Sequence, residues 1–302
     1  LIAARGALSE HGQEPAQPPP ANASLLGDCA GFDCYLRYVA LPDAHYTWRD
    51  TGMRLQGRDN DTGAAWTGHV LNYTSQKWLS EEEVSHPIWW HLLVVVVPEQ
   101  VEFADWATVH LSFGYFDGNM TQHHIASRAP GDDLDAEVLQ TVGIDENTLP
   151  DRALEVKGAS ALAAYVAVRT RAVAACLLQV YSGYQVFRDD ETGMRRHQDP
   201  LLAYSRQRFI RDPSRPELLA ELPAVKAVVR GLDTVVAHSG GRVKRFGLVG
   251  YSKYGAATFA TAAADPRVRA LAPSSIGLGS PPPPGADAGA ALLQTLGRVS
   301  PA

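Results

Sequence analysis

Hydrophobic and polar positions follow two regimes along the chain. In the first third, Gly68 to Trp78 and Ile88 to Pro98 are dense in Val, Trp, Tyr and Thr and are separated by the acidic turn Ser80, Glu81, Glu82, Glu83. Runs of that composition around a polar turn predict an antiparallel strand pair. From Ala107 onward, apolar runs of strand length alternate with segments of helical period. The predicted strands are Ala107 to Phe113, Ala172 to Val180, Arg245 to Gly250 and Val268 to Ala272. The predicted helices are Lys157 to Arg169, Asp199 to Arg208, Pro223 to Ala237 and Lys253 to Ala264. Strand and helix in alternation imply an α/β fold, a mostly parallel sheet with helices on both faces. Gly114 to Val156 is polar and aperiodic, and is expected to be an insertion or disordered loop, with a functional loop as the alternative. No repeat of 20 to 50 residues is visible, which sets aside solenoids and propellers.

Composition narrows the functional classes. The 302 residues are 45% hydrophobic and 20% charged, suited to a globular core. With 27 Lys plus Arg against 33 Asp plus Glu, a net charge of -6 and no basic run, nothing in the chain would grip nucleic acid or an acidic membrane. The longest aliphatic run, Leu92 to Val97, falls far short of the roughly 20 residues of a membrane-spanning helix. Residues 1–27 carry Pro18, Pro19 and Pro20 and read as a disordered linker; residues 280–302 begin with Pro281 to Pro284 and read as a low-complexity tail. One domain, residues 28–279, remains. The chain begins at Leu1 without a charged, then apolar, leader, so a mature or incomplete start is expected.

Asparagine usage points to a compartment. Of five Asn, four lie in glycosylation sequons, at Asn22, Asn60, Asn72 and Asn119, which predicts a secreted protein or one of the secretory lumen. Cys29 and Cys34 can close a small loop, and three reduced thiols are the alternative; Cys176 lies in an apolar run expected to be core.

The sharpest chemical signal is Phe246 to Gly255, an apolar strand that turns abruptly into an Ala-rich helix with Ser252 at the turn. This is the layout of a nucleophile elbow, with Gly250 two residues before the serine. The second glycine, Gly255, comes three residues after it and Tyr254 takes the usual glycine place, so the pattern is G-x-S-x-x-G. An ordinary helix N-cap is the competing explanation of Ser252. In an elbow, the Lys253 amide would be an oxyanion donor and its ammonium could add charge stabilisation. His86 and His91 fall on opposite faces of an extended segment, His123 and His124 lack further ligands, and Asp132 to Glu137 lacks calcium-loop spacing, so no metal is expected. No glycine-rich dinucleotide fingerprint follows a strand, and no organic cofactor is expected.

Taken together, several segments resemble the PhoPQ-activated pathogenicity-related family, whose secreted eukaryotic members are described as autocrine proliferation repressors. They are Tyr38 to Asp43 with Tyr46 to Trp48, Thr74 to Trp78, Trp89 to His91, Leu222 to Lys226 with Arg230, Asp233 and Thr234, Gly250 to Gly255, and Asp265 to Val268 with Ala272 and Pro273. The resemblance implies an α/β-hydrolase-like fold, with Ser252 as the nucleophile of an acyl transfer on a small-molecule or peptide substrate, or else a scaffold that binds a receptor. Three segments depart from the family pattern: Phe113 to Asn119 where a glycine pair with Asn is expected, Gln179 to Ser182 where Pro-Asn is expected, and Gln198, Asp199 where an acidic pair is expected. Hydrolases of this fold order their triad Ser, acid, His. All ten histidines here precede Ser252, so no downstream acid and histidine pair is found, and the chain is expected to be an inactive fragment with an exposed sheet edge.

Overall fold

The computed structural model describes residues 25–59, 61–112 and 161–276. Helix α1 (Asp33–Ala40) leads into a run of strands, β1 (Thr47–Arg58), β2 (Ala65–Lys77), β3 (Ile88–Pro98) and β4 (Phe103–Leu111). Helix α2 occupies residues 161–170. Then follow β5 (Ala172–Leu178), α3 (Asp199–Arg211), a short 3-10 turn (Pro216–Leu218), α4 (Glu221–His238), β6 (Arg245–Tyr251), α5 (Lys253–Ala264) and β7 (Val268–Ser274). All seven described strands form one sheet in the order β1-β2-β3-β5-β4-β6-β7.

The predicted antiparallel pair is two thirds of an antiparallel half that β1 completes and that joins the parallel half through an antiparallel β3–β5 pairing. Strands β5, β4, β6 and β7 run parallel. β3 reads as an unbroken aliphatic run because neighbours on both sides and layers on both faces bury nearly all of it. β1 was not legible because it is an edge strand, rich in Arg, Asp and Gly, of the charged kind that discourages pairing with other chains.

The two faces of the sheet pack separately. Leu71, Tyr73, Leu93, Val95, Val109, Leu177 and Leu248 face α1, α4 and α5 in the larger core, with Tyr35, Leu222, Val228, Leu232, Tyr254 and Ala257. Val70, Leu92, Val94, Val96, Cys176 and Leu178 face Ala163, Ala164 and Ala167 of α2. Helices thus cover both faces in an α/β-hydrolase-like layering. Among the described residues β7 is an edge strand, with alternate positions open to solvent. Residues 114–156, expected as a loop or insertion, lie outside the described residues, as do both terminal segments up to residue 24 and from residue 277.

Candidate active site

The strand order fixes where a site can form. β4 lies between β5 and β6, so the strand order reverses at β4, and the carboxyl ends there are the crevice position at which open α/β sheets bind their ligands. Ser252 is the first residue past β6, at this edge. Its amide donates to the Ser274 carbonyl at 2.9 Å, continuing the β6–β7 ladder, and its own carbonyl accepts the first bond of α5 from the Ala256 amide at 3.1 Å. Between those two bonds the chain reverses direction in one residue.

That reversal puts Ser252 at φ 56° and ψ -126°, a conformation that costs a non-glycine residue on the order of 1–3 kcal/mol. The strain is stabilised by close packing of strand on helix. A Cβ at Gly250 would lie 2.5 Å from the Tyr254 oxygen and 2.9 Å from the Gly255 nitrogen, so no side chain fits there. A Cβ at Gly255 would lie 3.1 Å from the Gly250 oxygen and 2.9 Å from the Ile276 side chain. The displaced glycine of the G-x-S-x-x-G pattern therefore has a geometric reason: residue 255 abuts β6, whereas the Tyr254 side chain turns into the core and meets Tyr181 with ring centroids 5.8 Å apart.

Ser252 occupies the N-cap position of α5 but makes no side-chain capping bond, so its hydroxyl is not spent on the helix. The Lys253 amide, in the first turn, has no intrahelical acceptor and sits at the positive end of the helix dipole. The Lys253 ammonium, by contrast, is held by Asp199 at 3.2 Å and lies 5.3 Å from the centre of the Tyr254 ring. Asp199 is 76% exposed and Lys253 14%, so the pair forms one rim of the crevice. Sequence reasoning gave Lys253 a role through its charge but not this partner, which comes from the N-terminus of α3, 54 positions earlier.

The remaining sequence candidates scatter. Cys29 and Cys34 are joined, with Cα atoms 5.1 Å apart, and fasten the chain ahead of α1; Cys176 is a free thiol in the core, pushed up to about 12 by burial. Asn72 lies inside β2 at 3% exposure, where the folded sheet has no room for a glycan. Asn22, Asn60 and Asn119 lie outside the described residues, as do His123, His124, the 132–137 carboxylates and the 113–119 segment that departs from the family pattern. Among the described residues no cluster of three potential metal ligands occurs. Two described cavities, of about 840 and 400 Å³, open at the opposite, amino edge of the parallel strands, lined in part by Trp66, His69 and His238 and by Trp106, Arg169 and Arg245.

The motifs that suggested the family meet mostly as a frame behind this edge. Gln76 donates to the Pro223 carbonyl at 2.7 Å, Trp78 to the Glu217 carbonyl at 2.9 Å, and the buried Lys226 ammonium to the Leu41 carbonyl at 2.8 Å with Asp43 at 4.0 Å. Burial lowers Lys226 to about 8, against the pull of Asp43. The exit of β5 is pinned to β3: Gln179, at φ 60°, donates through its side chain to the Trp90 carbonyl at 3.2 Å, and Ser182 Oγ accepts from the Trp90 amide at 3.2 Å.

Comparison with known proteins places this architecture. The family model for PhoPQ-activated pathogenicity-related protein matches residues 37–280. Autocrine proliferation repressor protein A of Dictyostelium discoideum is 28% identical over 240 residues, covering 78% of this chain and 39% of that protein. The chain thus spans about two fifths of the length of this curated relative. Among solved structures, a glucuronoyl esterase from Solibacter usitatus aligns over 78% of this chain and 55% of its own at a TM-score of 0.40 and 12% identity. An acetyl xylan esterase from Paenibacillus sp. R4 aligns over 80% and 56% at 0.39 and 12%. With the family model matched across the sheet, the elbow and the frame behind it, this chain belongs to the PhoPQ-activated pathogenicity-related protein family.

Proposed function

We propose that the carboxyl edge of β6 is an acyl-transfer site of the serine-hydrolase type, esterase-like or peptidase-like, acting on a small-molecule or peptide substrate. The observation that carries this reading is Ser252 itself: a strained residue between strand and helix, backed by a glycine that admits no Cβ, with a hydroxyl that caps nothing. A hydroxyl in that position attacks a carbonyl held in the crevice, and the Lys253 amide donates to the oxygen that gains charge. The Lys253 ammonium, shared with Asp199, adds positive potential at the rim.

The proton of Ser252 needs an acceptor. Hydrolases of this fold supply it with a histidine that follows an acid after the nucleophile, and the ten histidines of these 302 residues all precede Ser252, so we propose that the acid and histidine of the site are read from the full-length product. A second reading is a secreted non-enzymatic factor that presents this scaffold to a receptor. The name of the Dictyostelium relative fits that reading, and the joined Cys29 and Cys34 fit an oxidising, secretory compartment for either.

A fluorophosphonate probe separates the two. The chain and the product of its full-length transcript are treated with the probe, with Ser252→Ala as control. Labelling of the longer product that disappears in the control supports the enzyme. A folded longer product that stays unlabelled overturns it in favour of the binding factor.

A further inference from the structure

Two motifs take no part in the proposed chemistry, Thr74 to Trp78 and Trp89 to His91, yet they supply a continuous buried chain of hydrogen bonds that ends at the rim of the crevice. His91 is fully buried. Its Nδ1 lies 2.7 Å from the Gln179 carbonyl, which can only accept, so the ring carries its proton on Nδ1 and its Nε2 is an acceptor. Ser75 Oγ, 2.8 Å from Nε2, is then the donor to it. Gln76 Nε2 in turn donates to Ser75 Oγ at 3.0 Å and to the Pro223 carbonyl at 2.7 Å. The direction of every bond is fixed, from α4 and β2 through β3 to the exit of β5.

The acceptor at the end is not an ordinary residue. Gln179 is a non-glycine residue at φ 60°, the point where β5 breaks off and its exit loop begins. Two residues on, Tyr181 packs against Tyr254 of the elbow. The imidazole therefore holds the carbonyl of a strained residue whose loop buttresses the helix turn behind Ser252. Packing alone does not require this: an apolar side chain could fill the space between Tyr73, stacked on His91 at 4.7 Å, and the core, but it would take one hydrogen bond from the Gln179 carbonyl and one from the Ser75 hydroxyl.

We infer that His91 is a positioning residue for the crevice, which through its Nδ1 proton sets the Gln179 to Ser182 loop and, through Tyr181 and Tyr254, the orientation of Ser252. The labelling readout below rests on the acyl-transfer reading; the exchange readout does not.

The test uses the full-length product and four variants. His91→Asn places an amide donor near the position of Nδ1, His91→Gln places it near Nε2, His91→Ala removes it, and Ser75→Ala deletes only the Nε2 partner. Fluorophosphonate labelling rates, thermal midpoints and hydrogen exchange of the peptide spanning residues 177–184 are measured for each. The expected pattern is a tenfold or greater loss of labelling rate in the Ala and Gln variants, faster exchange of that peptide in both, and recovery of labelling and protection to within about threefold of wild type in Asn and Ser75→Ala. Folded Ala and Gln variants with wild-type exchange at 177–184 overturn the inference. So does an Asn variant as impaired as Ala, which would make His91 a space-filler; if Ala and Gln fail to fold, the comparison of Asn with wild type decides. If wild type itself does not label, the acyl-transfer reading fails and the exchange pattern alone decides the role of His91.

Discussion

The Tyr254 carbonyl occupies the space that a side chain at Gly250 would need: a Cβ on Gly250 would stand 2.5 Å from its oxygen and 2.6 Å from its carbon. Both atoms are backbone and belong to the first turn of α5, so relief requires the helix to move away from β6. Gly250→Ala is expected to destabilise the protein by about 1–3 kcal/mol and to abolish any labelling of Ser252. Gly247, three residues earlier in the same strand, is the control: a Cβ there meets the Trp106 side chain at 3.4 Å, an ordinary contact. Gly247→Ala should cost less than about 1 kcal/mol. Urea midpoints of the two variants measure the difference, and equal midpoints would mean that the close approach at the elbow is not a constraint.

Ser252 is held in a conformation that costs stability. Because its side chain makes no capping bond, Ser252→Ala should leave the urea midpoint within the equivalent of about 0.5 kcal/mol of wild type while removing the proposed nucleophile. Ser252→Gly should go further and raise stability by about 1 kcal/mol, since glycine adopts φ 56° without penalty. A Gly variant less stable than wild type would show that the hydroxyl has a stabilising partner after all.

How much of this was readable beforehand depended on the range of the interactions. The strand-turn-helix at Ser252 is local, so the spacing of Gly250, Ser252 and Gly255 announced it, and the two segments dense in Val, Trp, Tyr and Thr announced β2 and β3. β1 and α1 are not legible for different reasons: β1 is a charged edge strand, and α1, although amphipathic, is only eight residues long and buries only Cys34, Tyr35 and Tyr38. The pairing of β3 with β5 rather than a separate antiparallel unit is a long-range choice that periodicity does not encode. The same holds for the Lys253–Asp199 pair and for the approach of Tyr181 to Tyr254. The strand alternation that separates His86 from His91 leaves open whether His91 is packed or exposed; it is packed, and its partners come from residues 16 and 88 positions away, which no local pattern relates.

Asn72 tests the fold against the sequence pattern. Its sequon is sound, but the residue sits in β2 between β1 and β3 at 3% exposure, paired with Arg49 on one side and Leu92 on the other. Protein produced in a secretory host should carry no glycan at Asn72, as peptide mapping after enzymatic deglycosylation will show. A glycan found there on folded protein would contradict the position of β2 in the sheet.

The Cys29–Cys34 link closes a loop of only five residues' separation, so the gain from restricting the unfolded chain is modest, about 2 kcal/mol on the loop-entropy scale. Replacing both cysteines with serine should lower stability by that amount or less. The loss should be felt first at α1, measured as faster hydrogen exchange of residues 29–40 than of β3. A loss spread evenly over all elements would instead indicate that the link stabilises the whole domain.

His91 gives the fold a built-in sensitivity to acid. Burial drives its pKa from 6.5 down to about 3, so the folded protein keeps the ring neutral over a range in which the unfolded chain takes up a proton. The unfolded state therefore binds more protons between about pH 6.5 and pH 3, and stability falls as the pH is lowered through that window, by up to about 1.4 kcal/mol per unit. Above pH 6.5 both states hold a neutral ring and His91 contributes no slope. Between pH 7 and pH 5 wild type should lose about 2 kcal/mol more than His91→Asn, which cannot titrate, in urea unfolding at the two pH values. Parallel losses in the two proteins would mean that the ring is protonated in the fold. A protonated ring would donate from Nε2 as well, so the Ser75 hydroxyl would accept from both His91 and Gln76 and turn its own proton to the Trp89 carbonyl, 3.5 Å away, and the direction of the bond at the centre of the chain would reverse.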